Sequence, residues 1–120
     1  MSADIATLLM RNLYEVFGER DPSRRSAAIE ALLAPDVTFS DPHGRYVGHA
    51  AIDGGVSALH ARFPNHRFMA LGEADVLQDS GRLAWAFGPM DDPQAITGLD
   101  VIAVRGGRIA ALYTFLNAGA

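Results

Sequence analysis

The chain has 120 residues, of which 49% are hydrophobic and 20% are charged, and its net charge is −4 at pH 7. This composition predicts a globular protein, and the length predicts one domain over residues 1–120. The charge disfavours a nucleic-acid partner, because phosphate binding needs a basic face and the ten basic residues form no long run. The lack of cysteine excludes disulfides, thiolate metal sites and a cysteine nucleophile.

The apolar stretches of the chain are short. None approaches the roughly 20 apolar residues of a membrane span. The N-terminal segment "MSADIATLLMRNLYEVF" lacks a basic leader followed by an uninterrupted apolar core, so no signal peptide is predicted. We therefore expect a cytoplasmic protein without a membrane partner.

Three helices are predicted in the first half of the chain. Residues 3–18 carry apolar side chains at helical spacing. A second helix has Asp21 as its N-cap, Pro22 at its first position and Pro35 beyond its end. A third helix is predicted over residues 49–63, with an apolar stripe along one side.

Strands dominate the second half. A short strand at "DVTFSD" precedes the third helix, and four longer strands follow Asn65, separated by the turn signals "DSG", "DDPQ" and "GG". Helices followed by an antiparallel meander predict an α+β fold, with the helices covering one face of a curved sheet. Both faces of the predicted strand Leu99–Val104 are apolar. We therefore expect a homodimer that covers the open sheet face.

Asp41 admits two interpretations. The stretch "DPHG" is typical of a type I turn, with Asp first, Pro second and Gly fourth. Alternation along the preceding strand puts Val37, Phe39 and Asp41 on one face, which predicts that the Asp41 carboxylate points toward the interior or its rim. A carboxylate that accepts backbone N–H bonds can serve as a general base, so the turn and a catalytic role are compatible.

Asp100 interrupts the otherwise apolar and small residues of "TGLDVIAV". A buried carboxylate in such a strand must be paired, protonated or functional, because burying it alone costs several kcal/mol. The two-residue loop at 106–107 sets the register of the last hairpin. Counting back from it predicts Asp100 opposite Tyr113 and Gly98 opposite Phe115. These surroundings should raise the pKa of Asp100 and could keep it protonated near neutral pH; the alternative is a structural aspartate.

The predicted site combines these two carboxylates with a set of aromatic and neighbouring side chains. Trp85 stands out among them because it is the only tryptophan and has small alanines on either side. Histidines 49, 60 and 66 are expected to be solvated or capping, no spacing of His, Asp and Glu resembles a metal site, and no cofactor is predicted. The predicted ligand-binding residues are Tyr14, Phe17, His43, Phe63, Trp85, Tyr113 and Phe115.

The order helix, helix, "FxDPxGxxxGxxAI", helix, "FP" and four strands, with "GLDVIAVRGGRI" in the third of them, resembles the nuclear transport factor 2-like superfamily. Within it, the chain is most similar to SnoaL-like polyketide cyclases and ketosteroid isomerase-like proteins over nearly its whole length. The resemblance implies a cone-shaped fold with three N-terminal helices packed on a curved antiparallel sheet.

The resemblance also implies roles for individual residues. The general base of the ketosteroid isomerases falls on Asp41, and their protonated acid falls on Asp100. Their oxyanion-hole tyrosine lies in the first helix, where Tyr14 occurs, although an ungapped alignment puts Leu13 at that position; Tyr113 could supply a hydroxyl instead.

Three functions follow as hypotheses. The first is catalysis of proton transfer next to a carbonyl of a small apolar compound, in an isomerisation or an aldol-type cyclisation, by Asp41 and Asp100. The second is a module that binds a small apolar ligand without chemistry. The third is a structural dimer whose cone is filled by its own side chains. A cavity that both carboxylates reach would favour the first.

Overall fold

Three helical stretches are present in the computed structural model, which describes residues 4–117. Helix α1 (Ile5–Arg11) continues directly into a π-helical segment (Asn12–Phe17), and helices α2 (Pro22–Leu32) and α3 (His49–Arg62) follow. The predicted helices are thus confirmed, apart from Ala3 at the predicted start, which lies outside the described residues.

One mixed sheet holds all six strands. Its order is β2-β1-β6-β5-β4-β3. The strand β1 pairs with β6 in parallel and with β2 antiparallel, and the strands after Asn65 pair antiparallel with one another as predicted. The helices and the curved sheet together form the α+β cone. The strands are β1 (Leu33–Asp41), β2 (Gly44–Val47), β3 (Arg67–Leu77), β4 (Ser80–Gly88), β5 (Ile96–Arg105) and β6 (Arg108–Leu116).

The start of α2 follows from its local sequence. The Asp21 side chain accepts a hydrogen bond from the backbone N–H of Arg24 at 2.9 Å, and Pro22 occupies the first turn, where its missing N–H costs nothing. The helix ends at Leu32 and β1 begins at the next residue, earlier than predicted. Pro35 therefore lies within β1, where the β1–β6 register is irregular and no ladder N–H is needed.

The π-helical segment rotates the end of the first helix. Its last hydrogen bond runs from Gly18 N–H to the carbonyl oxygen of Leu13 at 2.8 Å, five residues back. Leu13 and Val16 are buried beneath it, whereas Tyr14 is 42% exposed. The first helix therefore presents Leu13, and not Tyr14, to the interior of the cone.

Irregular pairings bend the sheet and set its register. Between β5 and β6 the pair Val104–Ile109 is followed by the pair Ala103–Ala111, so Ala110 is an extra residue on β6. Such a bulge shifts every later pair by one residue and exchanges the two faces of the strand beyond it.

The register predicted for Asp100 is corrected by this bulge. The pairing of the residues around the GG loop is as predicted, with Arg105 opposite Arg108. Beyond the bulge, however, Asp100 pairs with Thr114 rather than Tyr113, and Gly98 pairs with Leu116 rather than Phe115. The sequence alone shows no signal for an extra residue in "RIAALYTF".

The two faces of the sheet have different surroundings. The inner face packs on the helices and forms the core with buried residues such as Leu83, Ile102 and Leu112. The outer face carries exposed aromatic residues, with Tyr113 44% and Phe115 57% exposed. Within residues 4–117, no helix has the length and apolar character needed to cross a bilayer.

Candidate functional site

A cavity of about 490 Å³ lies between the helices and the inner face of the sheet. Its size is within the range of small-molecule sites, which are mostly apolar with a few placed polar groups. Both predicted catalytic residues, Asp41 and Asp100, line it. The other lining side chains include Leu13, Phe17, Phe39, His43, Tyr46, Leu59, Arg62, Phe63, Phe68, Trp85, Phe87, Thr114 and Asn117.

Aromatic rings in mutual contact form much of the cavity wall. Phe39 stacks on Tyr46 with 5.3 Å between ring centroids, and Phe17 meets Phe39 edge-on at 5.2 Å. On the other side, Phe68 meets Trp85 edge-on at 5.5 Å. Rings locked together in this way hold the shape of the wall and present an apolar surface to a ligand.

Asp41 is both a turn residue and a cavity residue. Its Oδ1 accepts hydrogen bonds from the backbone N–H groups of His43 at 2.8 Å and Gly44 at 3.1 Å. It follows Phe39 on the same face of β1, and it is half-buried. The turn therefore fixes the carboxylate at the rim of the cavity (Asp41, Pro42 and His43), with N–H donors that complement its negative charge.

Asp100 lies at the buried end of the cavity (Trp85, Asp100 and Thr114) and is 4% exposed. Its Oδ1 accepts a hydrogen bond from Thr114 Oγ1 at 2.8 Å and another from Trp85 Nε1 at 3.0 Å. Burial raises the pKa of Asp100 to about 6, because desolvation outweighs these two hydrogen bonds, which lower it. The increase in the pKa agrees with the sequence prediction. Below pH 6, Asp100 is therefore a neutral carboxylic acid in most molecules of the free protein.

The Trp85–Asp100 bond depends on Gly98. Gly98 is opposite Trp85 in the β4–β5 ladder. A Cβ atom at Gly98 would collide with the indole ring and lie 2.6 Å from the carbonyl oxygen of Phe115. The absence of a side chain at Gly98 lets the indole lie over β5 and direct its N–H at the next inward-facing residue, Asp100.

The strand register places the two carboxylates near each other. Ser40 pairs with Tyr113 in the β1–β6 ladder, so the next position puts Asp41 beside Thr114, which itself pairs with Asp100. Neighbouring strands lie about 4.8 Å apart, so the Cα atoms of the two aspartates are roughly 10 Å apart across β6. Both aspartates line the same cavity.

Tyr14 does not line the cavity. Its hydroxyl accepts a hydrogen bond from the backbone N–H of Ala70 at 2.8 Å, on the outer side of the first helix. Leu13 lines the cavity at the position of the family tyrosine, as the ungapped alignment indicated. The assignment of Tyr14 as a ligand-binding residue is therefore corrected, because its side chain does not line the cavity.

Tyr113 and Phe115 lie on the outer face of the sheet, away from the cavity. Tyr113 pairs with Val101 and Phe115 with Leu99, all pointing outward from the cone. Their assignment as ligand-binding residues is corrected by the bulge in β6. The other predicted ligand-binding residues, Phe17, His43, Phe63 and Trp85, all line the cavity.

Several cavity residues were missed by the sequence reasoning. Thr114 replaces Tyr113 beside Asp100, and only knowledge of the bulge would have identified it. Tyr46 pairs with Phe39 across the hairpin closed by the Asp41 turn, so counting outward from that turn would have found it. Arg62, at the end of α3, also lines the cavity, and its guanidinium lies 5.2 Å from the ring centroid of Phe63. It directly precedes Phe63, the last residue of the predicted apolar stripe.

The histidines other than His43 have structural contacts. His49 Nε2 lies 2.9 Å from the carbonyl oxygen of Leu33, and His60 Nε2 lies 2.6 Å from that of Phe17. His66 packs against the ring of Phe63 at 4.7 Å between centroids. Within residues 4–117, no group of three or more His, Asp or Glu side chains could hold a metal ion.

Comparisons with known proteins agree with this architecture. The sequence profile of the SnoaL-like domain matches residues 10–112. A candidate isomerase of the SnoaL-like family from Agrobacterium tumefaciens has a similar structure, with a TM-score of 0.88, 25% identity and coverage of 95% of this chain and 97% of that chain. No curated protein sequence matches the chain.

More distant structures share the fold. A candidate polyketide cyclase from Sinorhizobium meliloti has a TM-score of 0.70 at 20% identity, covering 90% of this chain and 93% of that chain. A candidate ketosteroid isomerase from Kribbella flavida has a TM-score of 0.74 at 16% identity, covering 97% of this chain and 79% of that chain.

Proposed function

We propose that this chain, which belongs to the SnoaL-like domain family, catalyses proton transfer next to a carbonyl group of a small apolar substrate. The observation that carries the proposal is that Asp41 and Asp100, in contrasting surroundings, line one apolar cavity. A half-buried carboxylate held by backbone N–H groups suits a base, and a buried carboxyl with a raised pKa suits an acid.

The proposed reaction begins with the substrate carbonyl oxygen against Asp100 and an adjacent C–H against Asp41. Asp41 takes the proton, and the electron pair of the broken C–H bond forms the enolate. The hydrogen bond from the Asp100 carboxylic acid strengthens as negative charge develops on the oxygen. In a substrate with a neighbouring C=C bond, Asp41 then returns the proton to the far carbon of the dienolate, which completes an isomerisation. In a cyclisation, the enolate carbon attacks a second carbonyl, and the alkoxide oxygen that forms takes the proton back from Asp41.

Proton exchange provides a direct test that needs no natural substrate. Apolar aryl ketones such as 2-acetylnaphthalene would be incubated with the protein in D₂O, and NMR would follow deuterium uptake at the carbon next to the carbonyl. We expect exchange above the buffer rate, and a loss of about 100-fold or more in Asp41→Asn. The asparagine keeps an oxygen acceptor for the two turn N–H groups, so its fold should be intact.

The matched control is Asp91→Asn, which changes an exposed carboxylate outside the cavity. It should exchange at the wild-type rate. Wild-type exchange that persists in Asp41→Asn would contradict the role of Asp41. Binding of the ketone with no exchange in the wild type would instead support the second hypothesis.

That second hypothesis, a small-ligand-binding module without chemistry, is supported by one specific observation. The first-helix tyrosine expected in an oxyanion hole faces away from the cavity, and Leu13 lies in its place. Among residues 4–117, the other two side chains of the buried end, Thr114 and Trp85, already have their donors bound to Asp100, so the hydrogen bond to a ligand oxygen would have to come from Asp100.

We also propose that the outer sheet face forms a homodimer interface, which would cover its exposed apolar residues. Tyr113, Phe115 and Met69 are between 40% and 57% exposed on this face. Sedimentation should show a dimer for the wild type and a monomer for Phe115→Asp. Met90→Asp, at a residue that is 96% exposed in the β4–β5 connection, should leave the dimer intact. A monomeric wild type would contradict the proposal.

A further inference from the structure

We propose that Thr114 and Trp85 are positioning residues that place the acidic proton of Asp100 on Oδ2 and direct it into the cavity. This inference rests on the proposed function, because it specifies how Asp100 presents a hydrogen-bond donor to a ligand oxygen. The selection of carbonyl ligands would then depend on Thr114, on Trp85 and on the Oδ2 atom of Asp100.

The first observation is that both hydrogen bonds to Asp100 end on the same oxygen. Thr114 Oγ1 and Trp85 Nε1 donate to Oδ1 at 2.8 and 3.0 Å. Among residues 4–117, no hydrogen bond reaches Oδ2, although Asp100 is one of the side chains that line the cavity. Oδ1 is therefore occupied as an acceptor, and Oδ2 is available to a ligand.

The chemistry of a carboxylic acid then decides where its proton resides. A protonated carboxyl has one hydroxyl oxygen and one carbonyl oxygen, and the carbonyl oxygen is the better acceptor. Two donors directed at Oδ1 stabilise the form in which Oδ1 is the carbonyl and Oδ2 carries the proton. Without those donors, the proton could occupy either oxygen, and only one of the two forms would present it to the ligand.

The two donors are themselves held by the fold. The indole of Trp85 lies over Gly98 and against the ring of Phe68, so it has little freedom to turn away. Thr114 stands directly opposite Asp100 in the β5–β6 ladder, because the bulge at Ala110 brings it to the inner face. The geometry of Oδ1 is therefore set by two neighbouring strands rather than by Asp100 alone.

A pair of probes with nearly the same shape tests the inference without turnover. 2-Acetylnaphthalene carries a C=O group where 2-isopropenylnaphthalene carries C=CH₂, so the ratio of their affinities isolates the hydrogen bond to the oxygen. The ratio would be measured at pH 5 and pH 8 in the wild type, Thr114→Val, Thr114→Ser and Trp85→Phe. Carbon-13 NMR of the aspartate carboxyls would give the pKa of Asp100 in each protein.

We expect the wild type to favour the ketone by about tenfold at pH 5, where Asp100 is protonated, and to lose that preference at pH 8. In Thr114→Val and in Trp85→Phe, the pKa of Asp100 should rise, because a bond that stabilises the anion is lost. The ketone preference at pH 5 should nevertheless fall, by up to about twofold, because the proton is then shared between the two oxygens and only one of the two forms presents it to the ligand. Thr114→Ser should retain both properties.

The opposite movement of pKa and preference is the distinguishing result. A preference that stays the same or rises as the pKa rises would show that protonation alone matters, and would overturn the inference. An unchanged pKa in both variants would overturn it as well. Thr38→Val, on the outer face opposite Ala111, is the matched control and should alter neither quantity.

The outcome is separate from that of the proposed catalysis. The probe ratio is a binding measurement, so it can hold in a protein that performs no proton exchange. Equally, exchange that depends on Asp41 can occur in a protein whose Asp100 proton is not positioned by Thr114 and Trp85. Either Thr114→Val or Trp85→Phe suffices for the test, should one of them fail to fold.

Discussion

The rim and the buried end of the cavity each hold one aspartate, and the comparison shows how differently the same functional group can be surrounded. At the rim, Asp41 is held by the backbone N–H groups of its own turn and remains half-buried. At the buried end, Asp100 is held by side chains of two other strands and is 4% exposed. Local sequence is enough to place Asp41, whereas the surroundings of Asp100 depend on the register of β4, β5 and β6.

The pH dependence of the free energy of unfolding should give the largest difference between the rim and the buried end of the cavity. The native state holds the Asp100 proton more tightly than the unfolded chain does, because burial raises the pKa to about 6 from 3.8. Its contribution to stability is therefore complete below pH 4 and is lost as the pH rises through 6. Between pH 4 and 7, we expect the free energy of unfolding to fall by about 2–3 kcal/mol from this group.

Asp100→Asn should remove that dependence, because the amide mimics the neutral acid and still accepts at Oδ1. Urea titrations of both proteins at pH 4, 5, 6 and 7 would measure it. In Asp41→Asn, by contrast, the free energy of unfolding should still fall between pH 4 and 7, as in the wild type. A decline of equal size in Asp100→Asn would show that another group causes it.

Packing provides the second comparison, between a glycine at the buried end and a glycine outside the cavity. Gly98→Ala puts a methyl group into the indole of Trp85 and the backbone of β6, which should cost about 2–3 kcal/mol. Gly54→Ala, in α3 with open space around it, should instead stabilise the protein by about 0.5–1 kcal/mol. Thermal or urea unfolding would measure the free energy of unfolding of both variants. A Gly98→Ala variant as stable as the wild type would show that the buried end is loosely packed.

The turn at the rim should give the smallest effect. Asp41→Ala removes the acceptor for two backbone N–H groups, and we expect a loss of about 1 kcal/mol in unfolding free energy. Asp41→Asn should cost less, since its side chain retains an acceptor oxygen. If alanine and asparagine were equally destabilising, the carboxylate charge rather than the turn hydrogen bonds would hold this end of the cavity.

Sequence reasoning succeeded where the deciding contacts are local. The N-cap at Asp21 and the direction of Asp41 each depend on a few neighbouring residues, and both were predictable from spacing and alternation. The α+β order of helices and strands was predictable for the same reason, since turn signals separate clear periodic segments.

The errors at Tyr113 and Phe115 have their physical origin in a single-residue insertion. One extra residue in β6, Ala110, exchanged the inner and outer faces and put Tyr113 outside and Thr114 inside. Periodicity carries no signal for this bulge, because tertiary packing decides where an extra residue is accommodated. The assignment of Tyr14 rested instead on the resemblance, and the ungapped alignment already put Leu13 at the position that lines the cavity.

The most direct test of the two-carboxylate cavity is a carbon-13 NMR titration of the aspartate carboxyls with and without 2-acetylnaphthalene. We expect Asp100 to titrate near 6 in the free protein. We also expect the ketone to move this titration to higher pH and to shift the Asp41 resonance in the same complex. A titration of Asp100 near its ordinary value, or a bound ketone that perturbs neither carboxyl, would contradict it.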